Sequence, residues 1–501
     1  KSTDFEVHRN WLAITHSLPL DQWYYDNTSQ WTLDYPPLFA WFEYLLSHVA
    51  AYFDEKMLDR NSINYDSIYT ILFQRLSVIA TDLVLAYGVK ECSTYVRKYR
   101  FRKCSKWRSK LRSPAFVLQI IIICNVGLFI VDHLHFQYNG LLFGILLTSI
   151  SYVLQGHYNL GAFWFAFLLN MKHIYLYMAP AYVVYLLRNY CFTPDVKKFN
   201  TKTISLTRTA KLGAVVLGVF CMSFGPFIIL GQLTQVLGRL FPFKRGLCHS
   251  YWAPNFWALY NFLDKIAAIL GRAFGYNIKT LVGSMTGGLV QEFEHSVLPS
   301  ITPCTTFLIS FLSTLPCLWK LWHSPGNPLH FVRCLVICSG CAFMFGWHVH
   351  EKAILMVIIP LSLTAVQSRK EAEIFIFLST VGHYSMLPLI FTPNEIPIKI
   401  LVYVIYSFYT YNSLSDLFGV RKNSCSLSLL SKVETLYILI LAFLFMYENV
   451  IHKVLQLDVK YPFLPLMLTS VYCSIGLMYG TIKMYWLFLN ANKNDHKQKT
   501  F

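Results

Sequence analysis

Long runs of apolar residues alternate with short polar segments over most of this chain. The longest runs cover residues 116–131, 141–154, 210–230, 305–319, 331–347, 354–366 and 463–489. A helix that crosses a bilayer needs about 20 consecutive, mainly apolar residues, and several of these runs reach or approach that length. The pattern predicts an all-α polytopic membrane protein.

About thirteen helices are predicted to span the membrane. Their approximate bounds are 70–90, 115–131, 141–155, 158–172, 174–187, 208–231, 299–320, 331–347, 353–367, 372–391, 398–418, 433–451 and 463–489. Two regions follow from this division: a first loop at 1–68 with interfacial helices, and a transmembrane domain at 69–501. The transmembrane domain includes a long loop at 234–298 and a polar tail at 490–501.

Composition and charge support the membrane assignment. Only 14% of the 501 residues are charged and 55% are hydrophobic, whereas a soluble domain has about 25% charged residues. The net charge of +17 is concentrated in loops such as 97–112 and 197–211, so we expect no nucleic-acid partner. Basic loops mark the cytoplasmic side. An odd number of spans then places the N-terminal loop on the opposite, lumenal side and the C-terminus in the cytosol.

Short motifs point to the endoplasmic reticulum membrane. The tail carries Lys497 and Lys499, which resemble a dilysine retrieval signal, and Asn27 begins an Asn-Thr-Ser glycosylation sequon on the predicted lumenal side. The chain begins with Lys1 rather than Met, and we expect a preceding span that anchors it. The thirteen cysteines are scattered, with no spacing typical of zinc sites or a disulfide framework.

Four polar clusters lie on the predicted lumenal side, at residues 2–11, at 132–140, at 241–246 with 252–257, and at 346–352. Ionisable residues at the end of a span are costly unless they are paired or hydrated, so four clusters on one face predict a shared polar pocket. In the first cluster, Asp4, His8 and Trp11 fall on one face of a predicted helix. That helix is typical of an amphipathic surface helix, or of a catalytic rim at the membrane.

The residue types in these clusters indicate the chemistry of the pocket. His350, Lys352, Lys244 and Arg245 suit a phosphate group, and the aromatic residues suit sugar rings or isoprene units. A carboxylate at Asp4, Glu6 or Asp132 could accept a proton from a hydroxyl nucleophile. His348 and His350 could instead bind a metal ion, although the sequence offers no obvious third ligand.

Seven motifs in order along the chain carry a family resemblance. They are Asp-Phe-Glu at 4–6, His-Arg-Asn-Trp at 8–11, Asp-Tyr-Pro-Pro-Leu at 34–38, His-Phe-Gln-Tyr-Asn-Gly at 135–140, Phe-Pro-Phe-Lys-Arg-Gly at 241–246, Asn-Phe-Trp at 255–257 and Val-His-Glu-Lys at 349–352. Together they resemble the lumenal signatures of the dolichyl-phosphate-glucose-dependent α-1,3-glucosyltransferases of the N-glycan pathway. The opening segment and 346–355 look closer to the enzyme that adds the second glucose.

The resemblance implies a multispanning glycosyltransferase C-type fold whose lumenal loops form the active site. It implies an inverting transfer in which Asp4 is the general base and His350 lies near the donor phosphate. It also implies that Arg245 and the 133–138 stretch line the substrate clefts. The full set of expected substrate-binding residues is Glu6, Arg9, His133, His135, Gln137, Tyr138, Arg245, His350 and Lys352.

The expected partners are dolichyl phosphate glucose, a monoglucosylated dolichyl-pyrophosphate-linked oligosaccharide and the lipids of the endoplasmic reticulum membrane. By the same resemblance we expect no metal cofactor. Three alternatives stay open: a first-glucose transferase, another lipid-linked-sugar transferase such as a mannosyl or oligosaccharyl transferase, and a non-enzyme, either a transporter or a structural membrane protein. A transporter would show paired halves and charges near the membrane midplane, and the sequence has no convincing internal repeat.

Overall fold

The computed structural model describes residues 2–100, 112–194, 202–242, 246–249, 251–276, 278, 295–420 and 427–491. The chain forms two compact units, the first of residues 1–105 and 118–242, and the second of residues 106–117 and 243–501. One of the chain positions at which the two units divide, between residues 117 and 118, falls inside a helix.

The first unit is built almost entirely of helices. They are α1 (Thr3–Ser17), α2 (Pro37–Ala50), α3 (Ile68–Tyr95), α4 (Pro114–Ile123, which contains the boundary), α5 (Val126–Leu128), α6 (Asn139–Leu154), α7 (Tyr158–Met171), α8 (Ala179–Leu186), α9 (Leu206–Ile229) and α10 (Leu233–Leu240). A π-helical turn, Phe129–Leu134, continues α5, and a short antiparallel pair joins β1 (Phe192–Pro194) to β2 (Lys202–Ile204).

The second unit is also helical. Its helices are α11 (Phe256–Ala273), α12 (Pro303–His323), α13 (Pro328–Phe345), α14 (Leu355–Ala365), α15 (Arg369–Met386), α16 (Ile396–Leu417), α17 (Lys432–Met446), α18 (His452–Val454), α19 (Leu457–Lys460) and α20 (Leu464–Leu489). A 3-10 turn, Glu351–Ile354, precedes α14. A bidentate ion pair between Arg333 and Glu371, with nitrogen–oxygen distances of 2.8 and 3.1 Å, ties α13 to α15.

Eight helical segments in the described chain are long and apolar enough to cross a membrane. They are Ile68–Lys98, Pro114–Leu134, Leu206–Ile229, Pro303–His323, Pro328–Phe345, Arg369–Leu389, Lys432–Val454 and Leu464–Leu489. The all-α multispanning prediction is confirmed, but the predicted count of about thirteen exceeds the segments that meet this criterion. Predicted spans at 141–187 and 353–367 correspond to the shorter helices α6, α7, α8 and α14.

Helix α1 differs from the predicted surface helix. Its bounds contain the predicted Asp4, His8 and Trp11 face, but most of its residues are buried. Leu12 on this helix packs with Ala50 of α2, with Met57 and with Phe73 of α3. The interpretation as an amphipathic surface helix is therefore wrong, because α1 contributes to the core of the first unit. Its first turn, with Thr3 exposed and Asp4 half-buried, stays accessible, as does its last, with Ser17 exposed.

Candidate active site

The first turn of α1 presents Asp4. The hydroxyl of Ser2 caps the helix by accepting the backbone N–H of Phe5 at 3.3 Å. Asp4 then lies in the first turn, where the positive end of the helix dipole favours a carboxylate. The Asp4 side chain is 22% exposed, so a substrate hydroxyl can reach it.

Two residues of the second polar cluster contact Asp4. Its Oδ2 accepts a hydrogen bond from Nε2 of Gln137 at 2.6 Å and lies 3.1 Å from Nε2 of His135. Ser2 also binds the backbone carbonyl of His135 through its hydroxyl. The predicted association of the first and second clusters is therefore present within the first unit.

The loop that carries Gln137 is tightly constrained. Asp132 accepts the backbone N–H groups of Asn139 at 3.0 Å and Gly140 at 2.5 Å. A Cβ on Gly140 would lie 2.6 Å from Oδ1 of Asp82, so a larger residue there would displace this side chain or the loop. Phe136 is fully buried with a φ of 80°, a region that non-glycine residues rarely occupy.

The amide of Gln137 is oriented by its neighbour. The Asn139 amide nitrogen donates to Oε1 of Gln137 at 2.6 Å, which leaves the Gln137 amide nitrogen as the donor to Asp4. Lys172 extends the network, because its ammonium group donates to Oδ1 of Asn139 at 3.2 Å and lies 5.1 Å from the ring centre of Tyr35. Lys172 was missed from the sequence, where it stands between two apolar runs.

Beneath Asp4 lies a buried acid–base pair. Nδ1 of His8 is 2.7 Å from Oε1 of Glu43 on α2, and both side chains are at most 4% exposed. Burial raises the pKa of Glu43, and the hydrogen bond from His8 partly offsets that rise. The rings of Trp11 and Phe136 flank His8. The pair joins α1 to α2, and Glu43 was missed because nothing in the sequence links it to His8.

Glu6 and Arg9 lie away from the accessible surface. Arg9 is fully buried and forms a bidentate ion pair with Glu6 at 2.8 and 2.9 Å. Its other terminal nitrogen donates to the carbonyls of Met57 at 2.7 Å and Asp59 at 3.2 Å. These contacts favour a structural role, and the prediction that the two residues bind substrate is left for experiment.

His133 and Tyr138 also point away from Asp4. Nε2 of His133 lies 3.0 Å from Oδ2 of Asp82 on α3. The hydroxyl of Tyr138, a buried residue, is 2.7 Å from that of Ser77. Of the residues predicted between 133 and 138, the structure places His135 and Gln137 against Asp4.

The third and fourth polar clusters meet within the second unit. Cys248 and Val349 form an isolated parallel bridge, and the backbone N–H of His348 donates to the carbonyl of Leu247 at 3.0 Å. The His249 ring lies against those of His350 and His348, with centroid distances of 3.6 and 4.4 Å. His249 was missed from the sequence, because the pairing of two distant segments creates this histidine cluster.

His348 has a different role from His350. Its φ is 52°, and its Nδ1 lies 2.7 Å from the carbonyl of Gly246, so it fixes the segment. The His350 side chain is 43% exposed, and its Nδ1 is 3.9 Å from Oε2 of the buried Glu351. Lys352 is half-buried in the following turn. Arg245 lies outside the described residues.

Outside these clusters, the structure shows an exposed asparagine in the sequon and a buried group of three cysteines. Asn27 of the sequon is exposed, and its Oδ1 accepts a hydrogen bond from Arg239 at 2.6 Å. Cys317, Cys334 and Cys338 place their sulfur atoms within 4.8 Å of one another in the buried interface of α12 and α13. Sequence spacing did not reveal this group, since its members come from two helices.

Comparison with known proteins assigns the chain to a family. The family model described as "ALG6, ALG8 glycosyltransferase family" matches residues 1–484. The chain belongs to this family. It is similar to proteins named dolichyl pyrophosphate Glc1Man9GlcNAc2 alpha-1,3-glucosyltransferase from several organisms. The Bos taurus protein is 50% identical over 489 residues, which cover 97% of this chain and 91% of the bovine one.

Relatives from distant organisms carry the same name. The Arabidopsis thaliana protein is 45% identical over 492 residues, covering 96% of this chain and 92% of its own. The Schizosaccharomyces pombe protein is 45% identical over 502 residues, covering 98% and 95%. Membership of this family confirms the prediction that the protein is a glycosyltransferase. The two non-enzyme alternatives, a transporter and a purely structural membrane protein, are therefore set aside.

Proposed function

We propose that this glycosyltransferase moves glucose from dolichyl phosphate glucose to the terminal glucose of the monoglucosylated lipid-linked oligosaccharide. The transfer adds the second glucose of the N-glycan precursor through an α-1,3 linkage. One observation carries the proposal: the chain is 50% identical, over 97% of its length, to a protein whose name states that acceptor and that linkage.

The reaction is a single inverting displacement. The 3-hydroxyl oxygen of the acceptor glucose attacks C1 of the donor glucose while the bond from C1 to the phosphate oxygen breaks. The bonding electrons leave with dolichyl phosphate, and the hydroxyl proton passes to a carboxylate of the protein. A β-linked donor thereby gives an α-linked product.

Asp4 is the proposed proton acceptor. Its carboxylate is accessible and is oriented by two donors on an ordered loop, Gln137 and His135. Neighbouring carboxylates are committed elsewhere: Glu6 to Arg9, and Glu43 to His8. A base must reach the hydroxyl that it deprotonates, and the 22% exposure of the Asp4 side chain supports that role.

His350 and Lys352 are the proposed partners of the donor phosphate. An exposed imidazole and a nearby ammonium group can stabilise the negative charge that develops on the leaving phosphate. Dolichyl phosphate is a good leaving group at neutral pH. The mechanism therefore requires neither a general acid nor a metal ion. We accordingly propose metal-independent transfer.

We further propose that the enzyme resides in the endoplasmic reticulum membrane with the Asp4 region in the lumen and the C-terminus in the cytosol. The basic loops between spans and the lysines near the C-terminus support this orientation. Glycosylation at Asn27 would report it independently, since that side chain is exposed.

A transfer assay tests the function. Purified protein receives dolichyl phosphate glucose with an unglucosylated, monoglucosylated or diglucosylated lipid-linked oligosaccharide, each with and without a chelator. We expect transfer to the monoglucosylated acceptor alone, at a rate that the chelator leaves unchanged. Transfer only to the unglucosylated acceptor would contradict the second-glucose assignment. Loss of transfer with chelator, restored by a divalent ion, would contradict the metal-free mechanism.

A further inference from the structure

A cavity of about 320 Å³ opens in the second unit between α11 and the start of α20. Its walls include Tyr251, Trp252, Lys265, Lys460, Tyr461 and Phe463. The volume is in the range of pockets that hold small ligands or lipid headgroups. None of these residues is used by the mechanism above.

Two lysines give the cavity a positive charge. Among the described residues, neither Lys265 nor Lys460 has an ion-pair partner within 4.0 Å. The carboxylate adjacent to Lys265 in sequence, Asp264, instead accepts the backbone N–H groups of residues 296–298 at 2.8–2.9 Å. With respect to the part of the chain that the structure describes, both lysines are therefore available to a bound anion.

Lys265 is held in place by a contact with an aromatic ring. Its ammonium group lies 4.9 Å from the ring centre of Trp252, a distance typical of a cation–π contact. The Trp252 carbonyl in turn accepts a hydrogen bond from Ser470 of α20 at 2.8 Å. Burial lowers the pKa of Lys265, so an anion that enters the cavity stabilises the charged form of this side chain.

The remaining walls are apolar and lie at the end of a membrane span. Phe463 immediately precedes α20, which is one of the candidate spans, and Leu464, Leu466 and Met467 of its first turn line the cavity. Lipid headgroups lie beyond the hydrocarbon core, where membrane spans end, and a lysine there can bind a phosphate group as a point charge.

We propose that this cavity binds the phosphate group of a membrane lipid, with Lys265 and Lys460 as its ion-pair partners and the apolar wall against the first carbons of the lipid chain. The proposed reaction releases one lipid with this chemistry, a polyprenyl phosphate. The choice of this lipid as the biological ligand rests on the proposed function. Phospholipids carry the same phosphate chemistry, so the experiment must separate the two sources.

The test uses the full-length protein in nanodiscs of a neutral, zwitterionic lipid. A photoreactive polyprenyl phosphate is cross-linked to the protein, and the labelled peptides are identified by mass spectrometry. We expect labelling within residues 460–467. The double variant Lys265→Gln/Lys460→Gln should show labelling reduced by about tenfold or more, since charge-assisted contacts are lost. The matched control is Lys453→Gln, an exposed lysine outside the cavity, which should label as the wild type does.

Competition identifies the lipid source. Unlabelled polyprenyl phosphate should suppress the labelling, whereas the corresponding polyprenol, which lacks the phosphate, should not. Equal competition by phosphatidylglycerol would support the phosphate site and identify bulk phospholipid as its occupant. Undiminished labelling of a folded double variant, or competition by polyprenol as effective as that by polyprenyl phosphate, would overturn the proposal.

This readout is independent of the glucose-transfer reaction. A wild-type protein that binds the lipid phosphate but transfers no glucose would count against the proposed function alone. A protein that transfers glucose while the double variant keeps full labelling would count against the cavity alone. Size-exclusion profiles and thermal melting of each variant establish that it is folded.

Discussion

The Asp4 region and the histidine cluster place their functional groups in different ways. Asp4 projects from the first turn of a largely buried helix, and its partners come from an ordered loop that Asp132 fixes. The histidines 249, 348 and 350 lie on irregular segments joined by the bridge between Cys248 and Val349 and by contacts of His348 with the carbonyls of Leu247 and Gly246. The carboxylate is precisely oriented, as proton transfer requires, whereas the more open imidazoles suit binding of a phosphate.

The largest effect is expected when the buried ion pair between Arg9 and Glu6 of α1 is removed. Arg9→Met leaves Glu6 buried without its partner, and loss of one member of a buried pair costs about 3–5 kcal/mol of stability. We expect a strongly lowered melting temperature with unchanged KM values in the surviving folded fraction. The control Arg369→Ala disrupts a more exposed ion pair with Glu373 and should cost about 0–1 kcal/mol.

The opposite outcome for Arg9 would change its assignment. If Arg9→Met folds with normal stability but has a raised KM for either substrate, Arg9 binds substrate as the sequence predicted. The ion pair between Arg9 and Glu6 would then not be a purely structural element of α1.

A second variant addresses the other region. His350→Ala removes a proposed phosphate partner and should lower kcat/KM for the donor by about 100-fold, the size of effect seen when a transition-state donor is lost. Thermal melting should change little. His157→Ala, at an exposed histidine between α6 and α7, is the control. Wild-type kinetics in His350→Ala would remove this histidine from the mechanism.

A third variant tests whether the loop positions Asp4. Gln137→Leu removes the 2.6 Å hydrogen bond to Oδ2 of Asp4 and should lower kcat by about tenfold. Because Gln137 acts through Asp4, we expect the effect in kcat with little change in KM. Gln155→Leu at the end of α6 should keep wild-type kinetics. A rise in KM alone would identify Gln137 as a substrate contact instead.

The smallest expected effect concerns the pH dependence of stability. Because burial raises the pKa of Glu43 above its usual value of 4.5, the folded state holds the proton more tightly than the unfolded state. The resulting stability is present at low pH and is lost as pH rises through the folded-state pKa. Glu43→Gln should flatten the decline of melting temperature above about pH 4.5, while the exposed Glu55→Gln should leave it unchanged. An identical slope in Glu43→Gln would show that Glu43 does not cause it.

Apolar runs predicted where the helices lie but not which of them face lipid. Pro328–Phe345 and Leu206–Ile229 both qualify as spans, yet 83% of the first window and only 17% of the second are buried inside the protein. A helix surrounded by protein and a helix surrounded by lipid both need apolar side chains, so their sequences look alike. Short interior helices such as α14 were therefore predicted as spans.

The sequence predicted several residues of the candidate site, but it did not predict which of them contact one another. Asp4 and Gln137 are 133 positions apart, and only the fold brings them together. Resemblance between motifs indicated that both belong to the site. It gave no indication of Glu43, Lys172 or His249, because a partner in a separate element leaves no local pattern in one sequence.

Asp4 is the proposed base of second-glucose transfer, and single-turnover kinetics of Asp4→Asn measure its contribution to the chemical step. Enzyme in excess over the monoglucosylated acceptor, saturated with dolichyl phosphate glucose, isolates the chemical step. We predict a rate reduced by about 1,000-fold, within the range for loss of a general base, with unchanged melting temperature and donor affinity. A folded Asp4→Asn protein that transfers glucose at the wild-type rate would contradict the account.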